Sequence, residues 1–214
     1  MNILEKAKKK YMVYEERQQQ ILDAAIRLFN EKGYHATTTL AIAREAGVHE
    51  PTLYKHFRKK SELYIACFQS IEDQLSVEYR KIYRENRDDV TAYISGVIRA
   101  YTDFVEQNPH KSMFLIHLFS NRNDPLFYPI FKKFMEENIR AVEKVLTSAN
   151  EKGEIRLKSA DQHEIRSLAS LFVCQYFAVV VVHDFVKSEF LKSETFINSM
   201  TGMLQVADGC NIKY

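Results

Sequence analysis

The chain has 214 residues, of which 46% are hydrophobic, 12% aromatic and 27% charged, so it can bury one substantial core and carry a small extra module. Scarce Gly (6) and Pro (4), and three widely spaced cysteines (Cys67, Cys174, Cys210) with no zinc-type spacing, exclude a disordered chain, a disulfide scaffold and a Cys-based metal site. Net charge is only +2, but residues 1–60 hold twelve Lys/Arg against seven Asp/Glu (+5) and the remainder eighteen against twenty-one (−3), a basic head on an acidic body that suggests a polyanion partner.

The N-terminus has charges but no following apolar run and cleavage site, so no signal peptide is expected. The most apolar stretch, Ser167 to Val182, is shorter than the roughly 20 residues that span a bilayer and is interrupted by Gln175. It reads as a buried helix. The expectation is a cytoplasmic protein with no membrane partner.

Helical periodicity dominates throughout. Ile21, Ala25, Leu28 and Phe29 share a face of a first helix over about Tyr14–Lys32, which Gly33 should end. Thr37, Thr38 and Thr39 offer N-cap hydroxyls to a short helix, Leu40–Ala46, closed by Gly47. A second short helix, about His49–His56, has Pro51 in its first turn, where a missing N–H costs little. Ser61 is the expected cap of a longer helix to about Tyr83. Five more helices follow, at about 89–107, 109–119, 125–150, 161–185 and 194–207, with Asn108-Pro109, Gly153 and the pair Asp161/Glu164 as punctuation. Pro129 should delay or kink the start of the third-last of the nine, at about 125–150. The fold class is all-α, with a basic three-helix head over 1–60 and a six-helix body over 61–214.

Two short helices joined through Ala46-Gly47-Val48 are a helix-turn-helix candidate. The second would carry His49, Thr52, Tyr54, Lys55 and His56 as hydrogen-bond donors, with Leu53 and Phe57 facing inward at i, i+4. Segment Ile21–Leu63 closely resembles the DNA-binding module of the TetR family of transcriptional regulators, through Ala24-Ala25, Leu28-Phe29, Gly33-Tyr34, Thr38-Thr39, Ile42-Ala43, Ala46-Gly47-Val48, Thr52-Leu53-Tyr54, His56-Phe57 and Lys60. His49 departs from the pattern, since the family commonly has serine at that N-cap.

The resemblance implies a homodimer on a palindromic double-stranded DNA operator, with recognition helices in successive major grooves roughly 34–36 Å apart. It implies phosphate contacts from Thr38, Tyr54 and Lys60, base-facing positions at His49, Glu50, Thr52 and Lys55, and Thr39 and His56 within the same surface. Glu50 has a competing reading as a helix-dipole residue, and Tyr54 as a core aromatic. Lys6, Lys8, Lys9 and Lys10 are a candidate arm along the DNA, or else a solvated tail.

The resemblance also implies an effector pocket in the body, for a small apolar or aromatic molecule. Candidate lining residues are Tyr93, Tyr101, Phe104, Phe114, His117, Asn138 and Gln175. Gly96, in mid-helix, suggests close packing or ligand approach. The apolar helix near residue 170 carries one stripe of Ile165, Leu168, Phe172, Tyr176 and Val179, the expected dimer face, and another of Val173, Phe177 and Val180. The expected function is a regulator, most simply a repressor, released from DNA by its effector. A non-specific DNA-binding protein and a ligand-insensitive regulator are the alternatives. No GxSxG, HExxH, P-loop or GxGxxG occurs, no spacing recommends a metal at His110, His117 or His163, and no cofactor is expected.

Overall fold

The computed structural model describes residues 3–121, 123–155, 157, 161–183, 188–202 and 204, and among them every element is helical. Side chains at 3–12, 176, 177, 183, 188, 189 and 200 lie outside the description. The order is α1 (Ile3–Ala36), α2 (Thr39–Glu45), α3 (Glu50–His56), α4 (Lys60–Glu85), α5 (Val90–Gln107), α6 (Pro109–Ser120), α7 (Tyr128–Glu151), α8 (Gln162–His183), α9 (Ser188–Leu191) and α10 (Glu194–Thr201). Nine of these run seven residues or more, as the periodicity predicts, and α9 is a further four-residue turn of helix.

The head forms because its apolar positions converge. Ile21, Ala24, Ala25, Ile26 and Phe29 of α1, Ile42 and Ala43 of α2, and Leu53 and Phe57 around α3 are all buried together. The expected inward pair Leu53/Phe57 is among the most enclosed, at 0% and 3% exposure. The α1 helix breaks at Gly33 (φ 75°), and α2 is capped by Thr38, whose hydroxyl accepts the Ala41 N–H at 3.1 Å. Two N-terminal expectations change. The backbone of Lys6–Lys10 continues α1 as helix rather than as a frayed tail, and the side chains of those lysines lie outside the description. Ser61 does not cap α4: Lys59 holds the N-cap position without a side-chain bond. The α4 entry is secured instead by Glu62, which accepts the Arg58 N–H at 2.9 Å.

No break in packing marks residue 60. α4 is one unbroken helix across the expected boundary region, and the head's core continues into the body through Tyr64, Phe68, Tyr101, Phe104 and Phe114. The joint is aromatic. Tyr64 meets Phe29 at 5.1 Å, Phe114 at 4.7 Å and Phe127 at 4.6 Å between ring centroids, and Tyr34 meets Phe127 edge-on at 5.1 Å. Asn30 adds a hydrogen bond to the His110 carbonyl (2.7 Å), and His35 lies 3.3 Å from Asp124. Thus α1 rests on α4 and on α6.

In the body, Asp89 caps α5 at Ala92 (2.8 Å), and the Asp161 carboxylate accepts the Glu164 N–H (2.8 Å) at the start of α8, the latter as expected. The start of α7 is delayed to Tyr128, with Pro129 in its first turn; Asp124 caps the preceding turn at Leu126 instead. Gly96 is explained by close packing. A Cβ there would stand 2.8 Å from Ile82 Cγ2, so α4 and α5 approach over a missing side chain. The expected helix ends at Phe185 and Ala207, and Cys210, lie outside the described residues.

The apolar span of α8 is longer than the expected Ser167–Val182. Gln162–Val182 has mean hydropathy 1.9 and is long and apolar enough, by length and composition, to cross a membrane. Part of this apolar surface is used inside the protomer. Ile165, Ala169, Phe172, Val173, Val179 and Val180 are all buried, against the faces of α5, α6 and α7, and Arg166 pairs with Glu143 at 3.0 Å across the α7–α8 seam.

Candidate nucleic-acid interface and effector cavity

The turn between α2 and α3 is set by backbone chemistry. Gly47 takes a left-handed conformation (φ 64°), its N–H bonds to Arg44 O at 3.1 Å, and the Val48 N–H reaches Ala43 O at 2.9 Å. That pair of bonds is a Schellman closure, which requires a residue tolerant of positive φ at its centre. α3 then leaves at a sharp angle with its Leu53/Phe57 edge inward and its opposite edge in solvent.

The exposed edge carries His49, Tyr54 and Lys55, with Thr52 half-buried beside them. His49 makes no side-chain capping bond, so its imidazole is uncommitted to α3's own N–H groups. Thr38 is exposed at the start of α2; its oxygen already accepts from Ala41, and its proton remains available to a phosphate oxygen. Tyr54 is 45% exposed, which rules out the core-aromatic reading. Arg44, Arg58 and Lys59, close in sequence to these residues, are also exposed and were not among the expected residues. The dense cation run at 58–60 was the available signal.

Four of the expected DNA residues meet one another or α1. Thr39 donates to the Glu50 carboxylate at 2.7 Å and lies 3.1 Å from the Tyr54 hydroxyl, so these three side chains tie α2 to α3. Glu50 therefore acts as a clamp between the two helices. His56 turns away from the exposed edge and stacks on Tyr14 of α1, centroids 4.1 Å apart at 27°. Burial, with the nearby Arg17 charge, lowers its pKa from the ordinary histidine value and favours the neutral ring.

Lys60 is the largest departure. Its ammonium reaches the carbonyls of Tyr34 (2.8 Å), Thr37 (2.9 Å) and His35 (3.4 Å), and it sits 4.4 Å from the Tyr34 ring centroid. Three N–H donors thus meet three carbonyls left open where α1 ends. In this structure Lys60 fastens the α1–α2 connection.

In the body, a cavity of about 190 Å³ opens among α4, α5, α6 and α7. Tyr101 and Asn138 of the expected set line it, along with Ile71, Glu72, Leu115, Phe134 and Glu137. Phe104 lines a neighbouring, more polar cleft of about 280 Å³ between α4 and α5. Tyr93 and Gln175 meet in a crevice of about 20 Å³ that is too small for an effector, and the buried Gln175 amide oxygen has no hydrogen-bond partner there. Phe114 lies in the aromatic joint, fully buried. His117 is half-buried, lines none of these spaces, and has its pKa lowered by burial. The sequence missed Glu72 because nothing in a helical pattern tells a cavity carboxylate from a solvated one.

The expected dimer stripe also lies elsewhere. Ile165, Phe172 and Val179 are 8%, 4% and 3% exposed inside the protomer's own core, and Leu168 packs partly against it. Val173 and Val180 of the second stripe are buried as well. Tyr176 and Phe177 lie outside the described side chains. A third face of α8, Leu171, Cys174, Ala178 and Val181, is the exposed one.

Residues 21–67 match the family model described as bacterial regulatory proteins, tetR family. The HTH-type transcriptional activator FasR of Mycolicibacterium smegmatis is 38% identical over 94 residues, covering 44% of this chain and 42% of FasR. The nucleoid occlusion factor SlmA of a Marinomonas species is 32% identical over 94 residues, covering 44% of this chain and 47% of SlmA. The aligned part is thus less than half the length of these relatives. A crystal structure of a putative tetR family regulator from a Shewanella species superposes with TM-score 0.69 at 21% identity, over 87% of this chain and 95% of that one. At that identity the likeness establishes the fold.

Proposed function

We propose, from the premise that residues 21–67 are a TetR-family DNA-binding domain on a body with the fold of that family's regulators, that this chain grips a two-fold-symmetric operator as a homodimer and changes its grip when a small molecule fills the α4–α7 cavity. The family is one of transcriptional regulators, not enzymes. The observation that carries the reading is the exposed edge of α3. His49, Tyr54 and Lys55 face solvent there, flanked by Thr38, Arg44, Arg58 and Lys59, while Leu53 and Phe57 anchor the opposite edge. In this reading Thr38, Tyr54, Arg58 and Lys59 hold phosphates, and His49, Thr52 and Lys55 meet base edges. Thr39, Glu50, His56 and Lys60 hold that surface in place.

The dimer we infer forms on the exposed face of α8. Leu171, Cys174, Ala178 and Val181 recur at steps of three, four and three, the spacing of a helix–helix seam. A copper-phenanthroline crosslink between the two copies' Cys174, abolished by Leu171→Glu, supports this face; a dimer untouched by Leu171→Glu overturns it.

Coupling would run through neighbouring residues on shared helices. Leu115 lines the cavity, and Phe114 beside it packs on Phe29 and Tyr64. Ile71 lines the cavity one turn from Phe68, on the same helix as Tyr64. Filling the cavity would bias two packings of this joint and so the spacing of the two α3 helices. Repression or activation then depends on where the operator stands relative to the promoter.

The test is fluorescence anisotropy on DNA flanking the chain's own gene, with excess unrelated competitor, at two salt concentrations. Saturable binding that survives competitor supports a sequence-specific regulator. Binding lost to competitor at both salts on every flanking fragment favours a non-specific backbone grip.

A further inference from the structure

We propose that the α4–α7 cavity selects an organic cation, a protonated or quaternary ammonium carried on a single apolar ring, with Glu72 as its charge partner. The consequence at DNA rests on the regulator reading above; the selectivity rests on the cavity alone. Its volume of about 190 Å³ suits one ring and a short substituent, since an apolar cavity of about 150 Å³ holds benzene. Ile71, Leu75, Leu115, Phe134 and Ala141 supply apolar wall, and Tyr101 and Phe134 supply aromatic surface that favours a cation.

The charged lining is acidic throughout. Glu72 and Glu137 contribute carboxylates, and no lysine or arginine lines the cavity among the described residues. Glu137 is exposed at the rim, 3.8 Å from Lys133. Glu72 is half-buried and makes no hydrogen bond or ion pair with any described residue. Two other polar groups of the lining are committed to the backbone. Ser76 donates its hydroxyl proton to the Asp73 carbonyl at 3.0 Å, and Asn138 donates to the Phe134 carbonyl at 2.9 Å. Lys133 offsets only part of the desolvation of this half-buried carboxylate, and no ion pair among the described residues completes it. An ammonium supplies that pair, whereas a carboxylate or phosphate ligand would meet two like charges.

The protonation behaviour agrees. Burial and the Glu137 charge push the Glu72 carboxyl up to about 7; Asp73 adds to the rise and Lys133 offsets part of it. A bound cation favours the ionised form, so affinity for a permanently charged ligand should rise between pH 6 and pH 8.

The experiment is calorimetric titration of the full chain with 2-phenylethylammonium, its neutral isostere 2-phenylethanol, and 3-phenylpropionate. The ammonium should bind at least about tenfold tighter than the alcohol, with the propionate weakest. Glu72→Gln should erase the ammonium's advantage and leave the alcohol's affinity unchanged. Benzyltrimethylammonium should gain affinity from pH 6 to 8 in the parent and not in Glu72→Gln. Equal affinities, a tighter anion, an unchanged Glu72→Gln, or no binding by any of the three overturns the proposal. Should Glu72→Gln fail to fold by circular dichroism, the three-ligand ranking and the parent's pH profile decide it. Operator anisotropy in parallel separates the two readings. A cation that binds by calorimetry but leaves DNA affinity unchanged refutes the regulator reading and keeps the selectivity. Release of DNA by the alcohol or propionate alone refutes the selectivity and keeps the regulator.

Discussion

Replacing Lys60 with methionine removes the ammonium and keeps most of the stem. The lost contacts are three carbonyls at 2.8, 2.9 and 3.4 Å and the face of the Tyr34 ring. A hydrogen bond to a charged group contributes about 1.5–3 kcal/mol net, but Lys60 is only half-buried, and water can reach several of the freed carbonyls. A loss of about 2 kcal/mol for the set is therefore expected, or roughly 4–8 °C in Tm for a chain of this length. Operator affinity should fall because the α1–α2 connection carries Thr38, yet the slope of log affinity against log salt should hold. A lysine on a phosphate would instead remove about 0.9 from that slope. The assays are a thermal melt and anisotropy titrations from low to high salt. A Tm within about 1 °C of the parent, with a slope shallower by nearly one, would refute the reasoning and return Lys60 to the DNA.

Lys55→Ala should relax base preference at one position per half-site at a cost of about 1–3 kcal/mol against the preferred base; a randomised-operator selection that returns the parental consensus would remove Lys55 from base readout. Gly47→Ala should lower stability by about 1 kcal/mol through backbone strain alone, because φ is 64° and nothing lies within 4 Å of the added Cβ; a urea midpoint equal to the parent's would contradict the left-handed turn. Glu72→Gln should affect stability by pH. With the folded carboxyl raised to about 7 from an unfolded value near 4.5, the native state holds the extra proton, so this group's contribution falls as pH rises from 4.5 through 7. The variant should match the parent near pH 4.5 and exceed it above pH 7 by about 1 kcal/mol, after discounting for solvent screening; equal melts at pH 8 would show that Glu72 is well solvated.

Much of this protein was legible in one dimension because the signals were local. Apolar residues three and four apart place a helix face, Thr38 and Asp161 cap helices within three residues, and Gly47 with Val48 closes a turn within five. The helix-turn-helix, the inward edge of Leu53 and Phe57, and the resemblance built on them needed nothing more. The structure was required wherever two segments compete for one side chain. A lysine after a recognition helix reads as a phosphate contact until the end of α1, 23 to 26 residues earlier, presents three open carbonyls to it. His56 reads as a donor on α3 until Tyr14 stacks against it. α8 is apolar on more than two sides, so its periodicity could not say which stripe the protomer keeps; packing against α5 and α7 buries Ile165, Phe172 and Val179 and leaves Leu171 and Val181 free. A cavity is a property of four helices at once, and Glu72 acquires its chemistry only where α7 brings Glu137 and the apolar walls beside it. Chain-local hydrogen bonds and periodicity thus determined the elements and the kind of head, while long-range packing decided which polar groups are already satisfied and which remain for a partner.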